Sequence, residues 1–388
     1  MNTPRLLDLF KLFLYIGATG FGGVAMLPTI RTKLVTERKY LSGEQYDYGI
    51  ALAQMLPGPT IVQVAAFTGY SLYGYAGGLL CSLAIFVPAA ALMYLLTVLY
   101  FTFQNAAIVN HLVVGMSAVI VVIVLQATYN AARTSLISVR DYILAIIGFV
   151  LFFFKFNAVL ILFLSAVLGV LFCHHRKPRA STTTISNYPH WQMILMFLLT
   201  AAVFLTTFFI NPQLVKLSYY MIKTSFLAFG GGYAAIPIFI HDIVNTEHWQ
   251  TLQQFMTGIM LGQITPGPVI VTATYIGYSL LGSTGALFAT FFVFAPAFLL
   301  AMFVTPIFNK LISNKHFFRA VQGILCAFPG MLLSVSVTML AELDYSYLTI
   351  ALFTFSAVMI VLKKVSPYRV ILIAAIVETA AYYINTNP

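Results

Sequence analysis

Apolar residues run along this chain in long unbroken stretches separated by short polar ones, and the stretch lengths set the first expectation. Residues 78–100, 112–129 and 193–210 are each 18 or more positions long and almost wholly apolar. That is the length a helix needs to cross a hydrocarbon core of about 30 Å. In lipid every backbone amide must bond internally, and these runs have helix length rather than the ~10-residue alternation of barrel strands. The pattern predicts an all-α polytopic membrane protein.

Other apolar pieces are too short to span. Segments 46–56 and 60–73 hold 11 and 14 residues, which is about 16–21 Å of helix. Loop 31–45 carries Arg31, Lys33, Arg38 and Lys39, whereas 101–110 has no Lys or Arg. Positive residues mark the cytoplasmic side, so the chain between these loops crosses an odd number of times. Three pieces (46–56, 60–73, 78–100) then predict a re-entrant hairpin that turns at Pro57-Gly58-Pro59. By the same argument 9–21 and 24–35 form a second hairpin, broken at Gly22-Gly23. A count in which 46–56 spans fully stays open beside it.

The pattern also repeats. Gly22-Gly23-Val24-Ala25-Met26-Leu27-Pro28 returns as Gly231-Gly232-Tyr233-Ala234-Ala235-Ile236-Pro237, and Gln54-Met55-Leu56-Pro57-Gly58-Pro59 as Gln263-Ile264-Thr265-Pro266-Gly267-Pro268. Gly69-Tyr70-Ser71-Leu72, Gly74, Gly77, Phe86, Pro88 and Gly115 match Gly277-Tyr278-Ser279-Leu280, Gly282, Gly285, Phe294, Pro296 and Gly323. Residues 1–173 and 211–388 read as two copies of one transporter unit. Between them lie a basic cytoplasmic linker at 174–190 and one connecting helix, so the second copy is expected upside down. Loop charges agree: 239–253 has no Lys or Arg where 31–45 has four, and 308–319 carries Lys310, Lys315 and Arg319 where 101–110 has none. Lys216 and Lys223 do not fit that scheme.

Composition narrows the class. The chain is 61% hydrophobic and 8% charged, against about 25% charged in soluble domains. Its net charge of +10 is scattered singly and forms no aromatic-interleaved stripe, so nucleic acid is not an expected partner. Cys81, Cys173 and Cys326 form no C-x-x-C pair, so neither a disulfide framework nor a metal site is indicated. The first apolar run has no small-residue cleavage site before Pro28 and reads as mature sequence. Motifs for zinc hydrolysis, a nucleophile elbow and a phosphate-binding loop are missing, and no cofactor is expected; an enzyme is the weaker reading.

Pro-Gly-Pro inside an apolar segment ends one helix and starts another. The backbone groups thus freed are tolerated at membrane depth only against protein, water or a ligand. A helix starting after the break turns its partial positive end to the tip, which suits an anion. Pro57, Gly58 and Pro59 with Gln54, and Pro266, Gly267 and Pro268 with Gln263, are therefore the leading substrate-binding candidates. Kinked packing is the bland alternative. Thr60, Gln63, Thr265, Thr272 and Thr274 are next, set against bonds to their own helix backbone. Gly22, Gly23, Gly230, Gly231 and Gly232 form either a second substrate-facing break or close helix packing. Lys223 either attracts the anion or reaches the interface. Glu378 is the one carboxylate well inside the last helix, with proton coupling or a headgroup contact as its readings. His111 and Arg319 stand at matching helix starts and read as interface anchors.

The segments Phe229-Gly230-Gly231-Gly232-Tyr233-Ala234-Ala235-Ile236-Pro237, Gly262-Gln263-Ile264-Thr265-Pro266-Gly267-Pro268 and Thr272-Ala273-Thr274-Tyr275-Ile276-Gly277-Tyr278 resemble the chromate ion transporter family in its long, two-unit form. Phe21-Gly22-Gly23, Leu52 through Pro59, and Gly69-Tyr70 carry the resemblance in the first copy. It implies a bacterial or archaeal inner-membrane protein that exports chromate, with sulfate as competitor, driven by an ion gradient. Its partners would be a small inorganic anion, the lipid bilayer and, as one candidate, a second copy of the chain in a homodimer. A channel, or a transporter of another anion or organic acid, is the alternative. Family first copies often carry Pro directly after Phe-Gly-Gly and His shortly beyond, where this chain has Val24, Met26 and Leu27. Tyr15 stands at a position that is often basic.

Overall fold

The computed structural model describes residues 4–173 and 188–386; most of the linker expected at 174–190 lies outside them. Among the described residues the chain is helical, with only isolated bridges between extended residues. The first half holds α1 (Leu6–Thr19), α2 (Leu27–Arg31), α3 (Gly43–Met55), α4 (Thr60–Phe103), α5 (Ala107–Ser135), α6 (Val139–Phe153) and α7 (Ala158–Phe172). α8 (His190–Ile210) leads into α9 (Pro212–Leu227), α10 (Ala235–Phe239), α11 (Leu252–Ile264) and α12 (Thr272–Val304). α13 (Phe308–Ser313), α14 (Lys315–Ala341), α15 (Tyr347–Ala357) and α16 (Pro367–Thr386) complete it. α2 and α10 continue as π-helical turns through Glu37 and Thr246. Among the described residues six helical stretches, built on α4, α5, α8, α12, α14 and α16, are long and apolar enough to cross a membrane. The chain is a multi-pass membrane protein.

Local sequence explains the starts and stops. Ser42 with Gln45 and Thr251 with Gln254 close the same reciprocal capping box at the starts of α3 and α11, which satisfies amides a helix start leaves free. α3 ends at the Pro-Gly-Pro that follows it, and α4 begins directly after Pro59. In the second half a short 3-10 turn at Val269–Val271 intervenes before α12. α1 stops at Gly20, slightly before the break expected at Gly22-Gly23.

Each break is a reversal. Cβ atoms placed on Gly49 and Gly258 would fall 2.3 Å from the Phe67 ring and 2.6 Å from the Tyr275 ring. α3 therefore doubles back on the start of α4, and α11 on the start of α12. The other pair of hairpins turns at the glycine runs. Asp8, Lys11 and Tyr15 face Lys33 and Arg38 across a cleft in one, and Lys223 and Lys216 meet Asp242 and Glu247 in the other.

A further reversal lies inside α4 and inside α12. Gly74 (φ 66°, ψ −153°) and Gly282 (φ 61°, ψ −146°) hold a backbone region that is essentially restricted to glycine. The arms they join lie antiparallel in close contact. A Cβ on Gly69 would meet the Gly77 carbonyl at 2.1 Å and one on Gly277 the Gly285 carbonyl at 2.2 Å. Small residues let helix backbones approach this closely in a membrane.

The long arms of α4 and α12 cross at the centre and run antiparallel to each other. Phe86 stacks on Phe294 with ring centroids 4.4 Å apart. Gly78 abuts Met302 near one end, and the Tyr94 hydroxyl lies 2.7 Å from that of Ser283 near the other. α8 sits at the periphery, its only buried side chains being Met193 and Thr207. Cys173 and Cys326 share a small buried cluster, and Cys81, Cys173 and Cys326 are not joined in disulfides.

Candidate functional site

The helix breaks predicted from sequence come together, and each Pro-Gly-Pro reaches across to the glycine-rich break of the other half. The Gly58 amide donates to the Ala228 carbonyl at 2.9 Å, and the Gly267 amide to the Gly20 carbonyl at 2.8 Å. Both glycines have left-handed φ, +110° and +107°. A Cβ on Gly58 would lie 2.8 Å from the Ala297 methyl, and one on Gly267 2.7 Å from the Ala89 methyl. Ala89 and Ala297 follow the matched prolines Pro88 and Pro296, so the two halves build this seat in the same way.

The glycine runs line the same place. A Cβ on Gly231 would sit 3.5 Å from Thr60 Oγ1 and 3.8 Å from the Val24 side chain. One on Gly232 would sit 3.3 Å from the Val269 amide nitrogen, and one on Gly23 3.9 Å from Pro268 Cα. Two helical segments thus begin beside Gly231 and Gly232, at Thr60 and at Val269. Helix starts concentrate unspent amide hydrogens and carry about half a positive charge each. None of the converging residues bears an ionisable side chain apart from Tyr233. The arrangement can hold a small anion by hydrogen bonds and dipoles without a fixed countercharge.

The polar candidates divide. Gln63 is fully buried and donates through Nε2 to the Pro57 carbonyl, bracing its own break; its Oε1 has no partner among the described residues. Gln263 is buried with its Nε2 3.1 Å from the Tyr233 hydroxyl. Gln54 is exposed, and the residue that matches Tyr233 in its half is Val24. Thr265 and Thr272 donate to the carbonyls of Gly262 and Val269, each at 2.9 Å, which is the backbone role weighed for them. Thr274 pairs with Thr290 across the α12 hairpin at 2.7 Å. Thr60 keeps its hydroxyl beside Gly231.

Lys223 lies back along α9 and is engaged there. Its Nζ is 2.7 Å from Asp242 Oδ1, which also meets His241 Nδ1 at 2.8 Å. The first half differs at the matching place. Lys33 and Arg38 replace Asp242 and Glu247, and with Asp8, Lys11, Leu12 and Tyr15 they line an open cleft of about 260 Å³. Sequence reasoning missed Asp242, Tyr233, Thr290 and the alanine seats. The alanines left a signal as neighbours of matched prolines, and Tyr233 as the residue after the matched glycine pair.

Comparison with known proteins agrees with the resemblance. A family model described as Chromate transporter matches residues 7–170 and again 215–379. The chain is 30% identical over 383 residues to an uncharacterized transporter of Methanocaldococcus jannaschii, covering 97% of this chain and 94% of that one. It is 28% identical over 392 residues to a chromate transport protein of Cupriavidus metallidurans, covering 98% and 94%. A chromate transport protein of Pseudomonas aeruginosa is 25% identical over 335 residues, covering 86% and 80%. No solved structure matches the chain.

Proposed function

Because the chain belongs to the chromate transporter family, we propose that it is a secondary transporter that exports a small oxyanion, chromate with sulfate as its competitor, across the cell's inner membrane by an ion gradient. The observation that carries this reading is the meeting of the Pro-Gly-Pro and glycine-run breaks, each Pro-Gly-Pro glycine bonded to the opposite half. A tetrahedral oxyanion offers acceptors in every direction, which suits amides converging from two helix starts. Gln54 and Gln263 add neutral donors and acceptors, and Thr60 a hydroxyl. Holding a divalent anion without a paired cation keeps release easy, as a carrier requires.

In this reading residues 1–173 and 211–388 are inverted copies, 174–210 supplies linker and connecting helix, and the short arms are re-entrant. Three observations support it. The matched long arms of α4 and α12 run antiparallel about the Phe86–Phe294 stack. α8 adds one crossing between the halves, and the loop charges change side. Inverted units meeting at discontinuous helices give alternating access when one rocks against the other.

Uptake into proteoliposomes tests the substrate. Labelled chromate uptake that saturates and is competed by sulfate is the expected result; transport of neither anion by folded protein would discard the reading. Topology has its own test, with single cysteines made by Thr36→Cys and Thr246→Cys. Impermeant reagent is expected to label them from opposite faces, and labelling from one face would refute inversion.

A further inference from the structure

A buried carboxylate sits away from the helix breaks, in a crossing that its counterpart closes without one. Glu378 of α16 is 1% exposed and lies against Gly115 of α5. A Cβ on Gly115 would fall 1.7 Å from Glu378 Oε1, so only glycine leaves the carboxyl room. His111, one turn earlier on α5, brings Nε2 to 2.9 Å from Oε2, and its side chain is 34% exposed. That approach is an ion-pair contact without hydrogen-bond alignment, and both carboxyl oxygens lack a hydrogen-bond partner among the described residues. In the matching crossing of α7 with α14, Gly169 packs directly on Gly323 and on the Arg319 carbonyl. There, two glycines bring the backbones together, as small residues do in membranes. In the α5–α16 crossing a carboxylate and an imidazole take the equivalent space. Burying a charge with so little compensation is costly, and intramembrane ionisable groups mark ion and proton pathways.

We infer that Glu378 and His111 form the binding site for the proton whose gradient drives transport. The pair takes up one proton, held on Nε2 or on a carboxyl oxygen. Few other groups face it. α11 and the π-helical segment Val358–Leu362, both packed on α16, carry no ionisable residue. The Tyr382 ring lies 5.6 Å from His111. Tyr129 and Arg133 stand at the far end of α5, about 27–33 Å along the helix, and Tyr368 and Arg369 at the far end of α16. α14 runs antiparallel to α5, with Cys326 at the Ser135 carbonyl, which sets Lys315, His316 and Arg319 at that far end too. Glu342, Asp344 and Tyr347, around the α14–α15 turn, are exposed.

The site also has a physical route to the anion. α11 packs against both α5 and α16, and it is the arm that carries Gln263 into Pro266-Gly267-Pro268. A change in spacing at the α5–α16 crossing therefore bears on the break itself. The inference rests on the transporter reading for its role, and its test separates the two.

Glu378→Gln keeps the shape and removes the titration. In proteoliposomes it is expected to retain exchange of labelled for unlabelled sulfate while losing accumulation driven by a pH gradient, and His111→Gln is expected to reduce that accumulation too. Accumulation by Glu378→Gln equal to the parent's would overturn the proposal, as would accumulation driven by sodium alone at equal pH. A second readout needs no anion. Infrared difference spectra between acid and neutral pH are expected to show a protonated-carboxyl band that disappears in Glu378→Gln. Its persistence unchanged would likewise overturn the site. If the parent moved neither anion, the transport reading alone would fall, and the infrared band would still decide whether the pair binds a proton.

Discussion

Alanine in place of Gly267 is expected to abolish anion uptake in proteoliposomes while the protein still reaches the membrane. The glycine holds a φ of +107°, and an L side chain in such a region costs about 1–3 kcal/mol. Its new methyl would also lie 2.7 Å from Ala89, and overpacking of that kind costs about 1–3 kcal/mol more. Moving the tip is the way out, and that breaks the amide bond to the Gly20 carbonyl and turns the Val269 helix start away from Gly232. A displacement of this energy is more than a tenfold effect, at about 1.4 kcal/mol per decade. Gly58→Ala, facing Ala297, is expected to behave alike. Ala89→Gly in the Gly267→Ala background should recover only part, since it relieves the overlap and not the backbone. Gly43→Ala, whose methyl would stand 3.6 Å from the nearest atom, Arg31 Nη2, is the control expected to keep uptake. Full activity of Gly267→Ala would mean the break has no part in transport.

Much of this arrangement is visible in residue types. Pro-Gly-Pro and paired glycines announce where helices must stop, and segment lengths predict short arms on either side of Pro57-Gly58-Pro59. The piece boundaries at 73 and 78 bracket the corner at Gly74, although the glycine matches at Gly69, Gly77 and Gly74 gave no hint that the arms fold onto each other. The missing part is partnership across long separations. Gln54 and Gln263 look equivalent along the chain, yet Tyr233 meets one and Val24 cannot meet the other. Lys223 reads as a free cation until the hairpin brings Asp242 to it. His111 reads as an anchor because nothing local indicates that Glu378, far along the chain, fills the space Gly115 leaves. Periodicity reports which face is buried; it does not report which neighbour does the burying.

The second large effect concerns occupancy of the convergence itself. Val24 is half exposed and, like Thr60, stands beside Gly231, so a thiol there would share the space assigned to the anion. Val24→Cys, in a chain with Cys81, Cys173 and Cys326 replaced by alanine, provides a reporter for it. Sulfate is the better ligand for this purpose, because chromate oxidises thiols. Alkylation of Val24→Cys by a permeant maleimide is predicted to slow severalfold with saturating sulfate and not with chloride, while Thr36→Cys reacts at the same rate throughout. Unchanged alkylation of Val24→Cys in protein that still transports sulfate would contradict an anion site at the helix breaks.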